Sequence, residues 1–427
     1  MTEVGGDPGS PGCGGAAVGP VARGSVARVG TATALTAICG YTVIYLGARD
    51  LAPGGFSVFA VFWGAFGLVT GAANGLLAET TREVRSTRDG DTVRRGTADL
   101  GTHPLRLAAV TGAAAAVVIA VSSPLWSTQV FSTERGLSVA LLSVGLAGFC
   151  LHATLLGMLA GANRWAHYGA LMVTDAVIRV AIAVATFVIG WGLAGFLWAT
   201  VAGAVAWLLM LLASPTARAA ARLLTPGGTA TFLRGAAHSI TASGASAILV
   251  MGFPVLLKAT SKELGATGGV VILAVTLTRA PLLVPLTALQ GNLIAHFVDE
   301  RSQRLRALIA PAMVVAGVGA VGVLAAGLTG PWLLRVGFGA DYRASGALLA
   351  WLTAAAVTIA MLTLTGAAVV AAALHRAYSL GWVGATVAST ALLLLPLPLE
   401  TRTVIALLCG PPVGIAVHLA ALTRPPG

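Results

Sequence analysis

Long apolar runs separated by short polar segments organise this chain. They fall at about 29–48, 55–78, 107–126, 137–160, 167–190, 193–214, 236–257, 268–297, 307–329, 345–373, 379–397 and 402–422. A helix needs roughly 20 apolar residues to cross a hydrocarbon core of about 30 Å, and each run is close to that length or longer. Alternating polar and apolar positions are scarce, while Ala, Gly, Val and Leu abound, which argues against a membrane β-barrel. In hydrocarbon the backbone must satisfy its own hydrogen bonds, and helices do so. The pattern predicts an all-α polytopic membrane protein of about 12 transmembrane helices.

The runs divide into two groups of six that carry matching residues in the same order. Gly40-Tyr41-Thr42-Val43 corresponds to Gly252-Phe253-Pro254-Val255 at an offset of 212, and Phe59-Ala60-Val61 to Leu273-Ala274-Val275 at 214. Pro124, Phe131, Glu134 and Ala140-Leu141-Leu142 recur as Pro331, Phe338, Asp341 and Ala347-Leu348-Leu349, each displaced by 207. Single matches arise by chance in so apolar a chain; their shared order predicts a repeat. Two pseudo-symmetric six-helix lobes around a central cavity can rock against each other, as in many secondary transporters. The predicted division is a disordered cytoplasmic tail at 1–28, an N-terminal lobe at 29–214, a cytoplasmic linker at 215–235 holding Pro226-Gly227-Gly228, and a C-terminal lobe at 236–427.

Composition excludes several classes. Hydrophobic residues make up 57% of the chain, mean hydropathy is +0.88 and 10% of residues are charged, against roughly a quarter in soluble domains. The net charge of +11 would suit nucleic acid, but its distribution is a topology signal. With the N-terminus inside, 17 basic residues fall on the inner side and seven on the outer, with Arg179 and Arg279 left within spans. Both termini are thereby assigned to the cytoplasmic side of a plasma membrane. Arg supplies all the basic residues but Lys258 and Lys262, which points to a GC-rich bacterial genome. The first 28 residues lack the apolar core of a signal peptide, so the first span is expected to stay. Cys13, Cys39, Cys150 and Cys409 are scattered and suggest neither a disulfide framework nor a metal site.

Local motifs place the turns. Arg49-Asp50-Leu51-Ala52-Pro53-Gly54-Gly55 breaks the first span and turns the chain back at the outer face. At the inner end of span two, Glu79, Arg82, Glu83 and Arg85 stand at helical spacing and can pair along one face. The stretch from Tyr45 through Phe59 to Trp63, then Glu79 to Arg85, resembles the start of polysaccharide flippases in the multidrug/oligosaccharidyl-lipid/polysaccharide exporter superfamily. Gly157-Met158-Leu159-Ala160-Gly161-Ala162-Asn163-Arg164-Trp165 looks like the Gly-x-x-x-Gly and Arg-aromatic link of those proteins. Val336-Gly337-Phe338-Gly339-Ala340-Asp341-Tyr342 looks like their Phe-Gly-x-x-Tyr outer turn. The resemblance implies translocation of a lipid-diphosphate-linked glycan precursor to the outer leaflet by alternating access, with membrane lipids and glycan-synthesis enzymes as partners and no cofactor.

Polar groups inside the spans are the candidate site, since a charge at mid-membrane costs about 3 kcal/mol or more and usually faces protein or water. Asp175 and Arg179 are four apart on span five and can neutralise each other, either as a structural pair or at a cavity. Arg279 stands beside Pro281 and Pro285 with no acid within four residues. Its forked donors suit a diphosphate, and snorkelling or a partner from another span is the alternative. Gln290, Asn292 and His296 continue that span, as cavity lining or as interhelical hydrogen-bonding groups, and Lys258 and Lys262 belong to the outer mouth. His152, His238 and His418 are not at metal-ligand spacing and are read as packed.

The chain has no Gly-x-x-x-x-Gly-Lys-Ser/Thr loop, no His-Glu-x-x-His and no inter-span loop of the roughly 50 residues a catalytic domain needs. A non-enzymatic transporter follows. Its competitors are a cation-coupled drug or metabolite exporter and a non-transporting scaffold of a glycan-synthesis complex.

Overall fold

The computed structural model describes residues 23–88, 101–225, 228–300 and 304–423. Residues 1–22 of the expected tail, the loop residues Arg94 and Arg95, Pro226-Gly227, Arg301 and Arg424 lie outside the described residues. The helices are α1 (Arg23–Arg88), α2 (Pro104–Val130), α3 (Arg135–Gly161), α4 (Trp165–Ile189), α5 (Gly192–Ala202), α6 (Ala206–Ala213), α7 (Pro215–Ala221) and α8 (Thr229–Val250). They continue as α9 (Phe253–Ala259), α10 (Gly265–Ala288), α11 (Gln290–Asp299), α12 (Arg304–Phe338), α13 (Gly346–Ala371), α14 (His375–Leu393) and α15 (Leu399–Leu422). Among the described residues, 9 helices are long and apolar enough to cross a membrane, and the bent pair α8 and α9 makes 10. In that number α1 counts once but holds two spans, and the more polar α14 is left out, so about twelve passes result.

Three elements differ in detail from the sequence reading. The first helix begins at Arg23, inside the stretch taken as tail, and α8 begins at Thr229, inside the expected linker, which also holds α7. The first hairpin breaks at Ala52 (φ 51, ψ 170), one residue before Pro53. Proline excludes the helical conformation for the residue it follows, and its own fixed φ then starts the second arm. Span eight is interrupted at Leu289, between α10 and α11.

The repeat is visible in the backbone itself. After α3, Ala162, Asn163 and Arg164 donate their N–H groups to Met158, Ala160 and Leu159. After α13, Ala372, Ala373 and Leu374 donate to Ala368, Val370 and Val369, the same pattern 210 residues on. Asn163 and Ala373 both adopt φ 60. Asn tolerates that left-handed geometry, while Ala carries a steric cost there.

The lobes meet along one seam. Gly64, Gly71 and Gly75 on the second arm of α1 face α8, and a Cβ on Gly75 would stand 2.3 Å from the Ile240 nitrogen. Beyond them Glu79, 3% exposed, lies against Gly235 and receives the Arg82 guanidinium at 2.5 Å. At the other end α10 presses backbone to backbone on the hairpin, where a Cβ on Gly269 would fall 1.9 Å from the Pro53 oxygen. Tyr342, in the turn between α12 and α13, reaches across the lobes. Its hydroxyl donates to the Ala48 carbonyl at 2.9 Å, and its ring packs on Phe56 and Phe338, with Phe338 in turn edge-on to Tyr45 at 5.5 Å. Burial, then the neighbouring Asp341, push its phenol pKa up, so it stays a donor.

Gly75→Val forces side-chain volume into a backbone contact and should cost about 1–3 kcal/mol, read as a lowered unfolding temperature in detergent. Ala373→Gly relieves a left-handed alanine and should instead raise it, by up to about 1 kcal/mol.

Candidate functional site

The seventh pass is broken, and a buried arginine sits at the break. Helices α8 and α9 meet at 68° across Met251-Gly252. Pro254 has no N–H, so it cannot give the Val250 carbonyl its helical partner. An unpaired carbonyl in hydrocarbon is costly, of the order of several kcal/mol. Arg279 of α10 supplies the missing donor: its Nη1 reaches Val250 O at 3.3 Å and Leu249 O at 3.5 Å. The cation also sits at the negative end of α8. Its guanidinium lies 5.2 Å from the Phe253 ring centroid, and Tyr41 of the first arm is within electrostatic range. Arg279 is 7% exposed, and among the described residues its Nη2 has no hydrogen-bond partner. The partners Arg279 meets are carbonyls of α8, a different span from its own proline-bearing helix.

A crevice of about 650 Å³ separates the first arm of α1 from α10 beside this point. Ala34, Ile38, Tyr41, Thr42 and Tyr45 form one wall, and Ala280, Pro281, Val284 and Pro285 the other. The two helices are pinned at the Pro53 end and part towards Ala34. Pro281 and Pro285 on the α10 wall leave it without full helical hydrogen bonding.

The second polar centre lies within the N-terminal lobe. Arg179 grips Asp175 with two bonds, Nε to Oδ2 and Nη2 to Oδ1, each 3.0 Å, and its Nη1 donates to the Thr200 carbonyl. The Phe66 ring lies 5.4 Å under the guanidinium. Gly203 makes room for the pair, since a Cβ there would fall 2.2 Å from Asp175 Oδ1. It opens the short 3₁₀ turn Gly203–Val205 that interrupts span six. His152 is buried and stacked on Phe149, within electrostatic range of the same pair, and among the described residues its Nδ1 has no partner.

The remaining candidates do not converge with these. Gln290 is half-buried at the start of α11, Asn292 is exposed, and His296 points its Nε2 at the Ala307 carbonyl, 3.4 Å away. Lys258 donates to the Lys262 carbonyl at 3.2 Å and lines a separate cavity of about 280 Å³ with Glu263, Ser57 and Ser132. His238 bonds the Arg234 carbonyl, and His418 lies between Thr365 and the Tyr378 carbonyl. Among the described residues, no group of three or more His, Cys, Asp or Glu can hold a metal ion. Sequence reasoning missed Tyr41 and Phe253 as neighbours of Arg279, although the repeat had aligned them with each other.

Comparison with known proteins agrees with this architecture. No family model matches the chain. "Uncharacterized protein Rv3630" of Mycobacterium tuberculosis is 76% identical over 425 residues, covering 99% of this chain and 98% of its own. "Uncharacterized protein Rv1510" of the same species is 76% identical over 411 residues, covering 96% and 94%. Among solved structures, an inward-facing multidrug resistance MATE family transporter of the MOP superfamily superposes with a TM-score of 0.73 at 15% identity, covering 92% of this chain and 94% of that one. The outward-facing form gives 0.64 at 16%, over 93% and 94%. A MOP superfamily transporter from Pyrococcus furiosus, reported to have a binding pocket of reversed polarity, gives 0.63 at 15%, over 94% and 96%. The fold is that of MATE transporters.

Arg179→Ala strands a buried carboxylate and should cost about 3 kcal/mol or more, whereas Asp175→Ala combined with Arg179→Ala should recover part of the loss. Thermal unfolding of the three purified variants against wild type measures the coupling.

Proposed function

The chain belongs to the same family as the Mycobacterium tuberculosis proteins Rv3630 and Rv1510, and we propose that it is a transporter that flips a lipid-diphosphate-linked oligosaccharide or polysaccharide precursor by alternating access. The observation that carries this reading is the apolar crevice between α1 and α10 with the spare guanidinium donor of Arg279 beside it. A substrate with a charged diphosphate and a long hydrocarbon tail needs both surfaces at once. The Pro281 and Pro285 wall and Ile38 suit the tail, and Arg279, with its Nη2 unspent, suits a phosphate oxygen.

Alternating access is supported by the fold and by the uneven closure of the lobes. They are sealed along the α8 seam and at the Tyr342 latch, and parted along the crevice. The higher TM-score against an inward-facing relative fits a bundle closed at the latch end. We place both termini at the cytoplasmic face of the plasma membrane on the arginine distribution.

A cation-coupled exporter of drugs or metabolites is the second reading. What favours it is the MATE likeness together with a buried carboxylate, Asp175, in the N-terminal lobe. Against it, both oxygens of that carboxylate are already held by Arg179.

Proteoliposomes carrying a fluorescent lipid-diphosphate-sugar decide between the two. Wild type should flip the lipid, Val284→Trp should block the crevice and lower the rate at least 10-fold without lowering the unfolding temperature, and Arg279→Ala should lower it too. Asp175→Asn should leave flipping intact in protein that remains folded. No flipping by wild type, with dye efflux that depends on Asp175, would establish the exporter instead.

A further inference from the structure

A second cavity, remote from the crevice, lies at the arginine-bearing end of the N-terminal lobe. Its volume is about 750 Å³, and it is enclosed by the end of α1, the link between α3 and α4, and α7 with the residues after it. Its floor is apolar, made by Val84, Ala219, Ala220, Leu223 and Leu224. Asn163 and Arg164 line it too, and among the described residues that line it none is a carboxylate.

Two further features point to what covers it. Arg85, next to the lining residue Val84, lies 5.7 Å over the ring of Trp165, the residue after the lining residue Arg164, so two arginines adjoin the cavity in sequence. Among the described residues neither makes an ion pair, unlike Arg82 nearby, which is held by Glu79 and Glu83. Leu223 and Leu224 of the lining are 37% and 44% exposed. Trp165 and Tyr168, edge to face at 5.7 Å, form the aromatic pair expected where a span leaves hydrocarbon for the head-group layer. Positive charge and exposed leucine at one cavity complement a molecule that is anionic at one end and hydrocarbon at the other.

We propose that this cavity is a binding site for an anionic phospholipid of the surrounding leaflet, its phosphate against Arg85 and Arg164 and its upper acyl carbons on Val84, Leu223 and Leu224. The site is independent of the transport reading, because none of its residues borders the crevice. A bound lipid ties α7 to the α3–α4 link. It thereby braces the N-terminal lobe where its chain leaves for the second lobe.

The test is native mass spectrometry of the purified full-length protein with phosphatidylglycerol and with phosphatidylcholine of the same acyl chains. Wild type should retain phosphatidylglycerol at least 10-fold better. Arg85→Gln with Arg164→Gln should lose most of that preference, about 5-fold for each charge removed near a lipid surface, and Arg85→Lys with Arg164→Lys should restore most of it. Ala219→Trp keeps the charges but fills the cavity, so it should lower retention of phosphatidylglycerol as well. Equal retention of the two lipids, or an Ala219→Trp protein that binds like wild type, overturns the assignment. Displacement of the lipid by glycerol phosphate would overturn it too, by showing that a soluble phosphate ligand suffices.

Discussion

A carbonyl group without a donor is one of the most expensive things to place in hydrocarbon, and the bundle is arranged around one such group. Pro254 denies Val250 its helical bond, and Arg279 replaces it from another helix. The replacement is long, 3.3 Å to Val250 and 3.5 Å to Leu249, but its donor is charged and serves both carbonyls. It also locks the position of α10 relative to α8. Since α8 is seamed to the second arm of α1 by glycine contacts, the place of α10, and with it the width of the crevice, follows from the same break.

The contacts between the lobes are of two kinds, and they allow different motions. Along the seam, Gly71 and Gly75 bring backbones so close that any sliding meets hard repulsion, yet a small rotation about the seam axis costs little. The latch is directional: one hydroxyl, one carbonyl and a cluster of aromatic edges that either engage or do not. A hinge of the first kind with a catch of the second is what two rigid lobes need if they are to hold discrete states. Rigid packing makes such an interface bistable rather than elastic.

The spans were legible because the period and length of apolar runs are set by the bilayer, and the two-lobe repeat because equivalent residues keep their order. The structure returns that repeat in hydrogen bonds 210 residues apart, at Asn163 and Ala373. What sequence did not reveal was which spans touch. Asp175 and Arg179 were readable as a pair since both lie on one helix, but Thr200 and Gly203, which complete their surroundings, come from span six. Arg279 stood out as a charge without a neighbour in sequence. Its partners are backbone atoms of a different helix, and no side-chain pattern announces a carbonyl. The clue was Pro254 at the position matched by Thr42: α1 runs unbroken through Thr42, whereas α8 stops before Pro254. The repeat thus diverges at the one place where an arginine was needed.

The two buried guanidinium groups differ in net charge, and that difference bears on substrate more than the fold does. Arg179 is neutralised by Asp175, so its centre presents no net charge to a solute. Arg279 is satisfied by carbonyl dipoles and aromatic rings, which stabilise a cation without cancelling it. A positive centre held by dipoles beside an apolar crevice attracts an anion and repels a lipophilic cation, at a depth where water does little to screen either. A fold shared at 15% identity with multidrug transporters shows the architecture alone. The uncancelled charge of Arg279 is the feature on which the proposal of an anionic cargo rests.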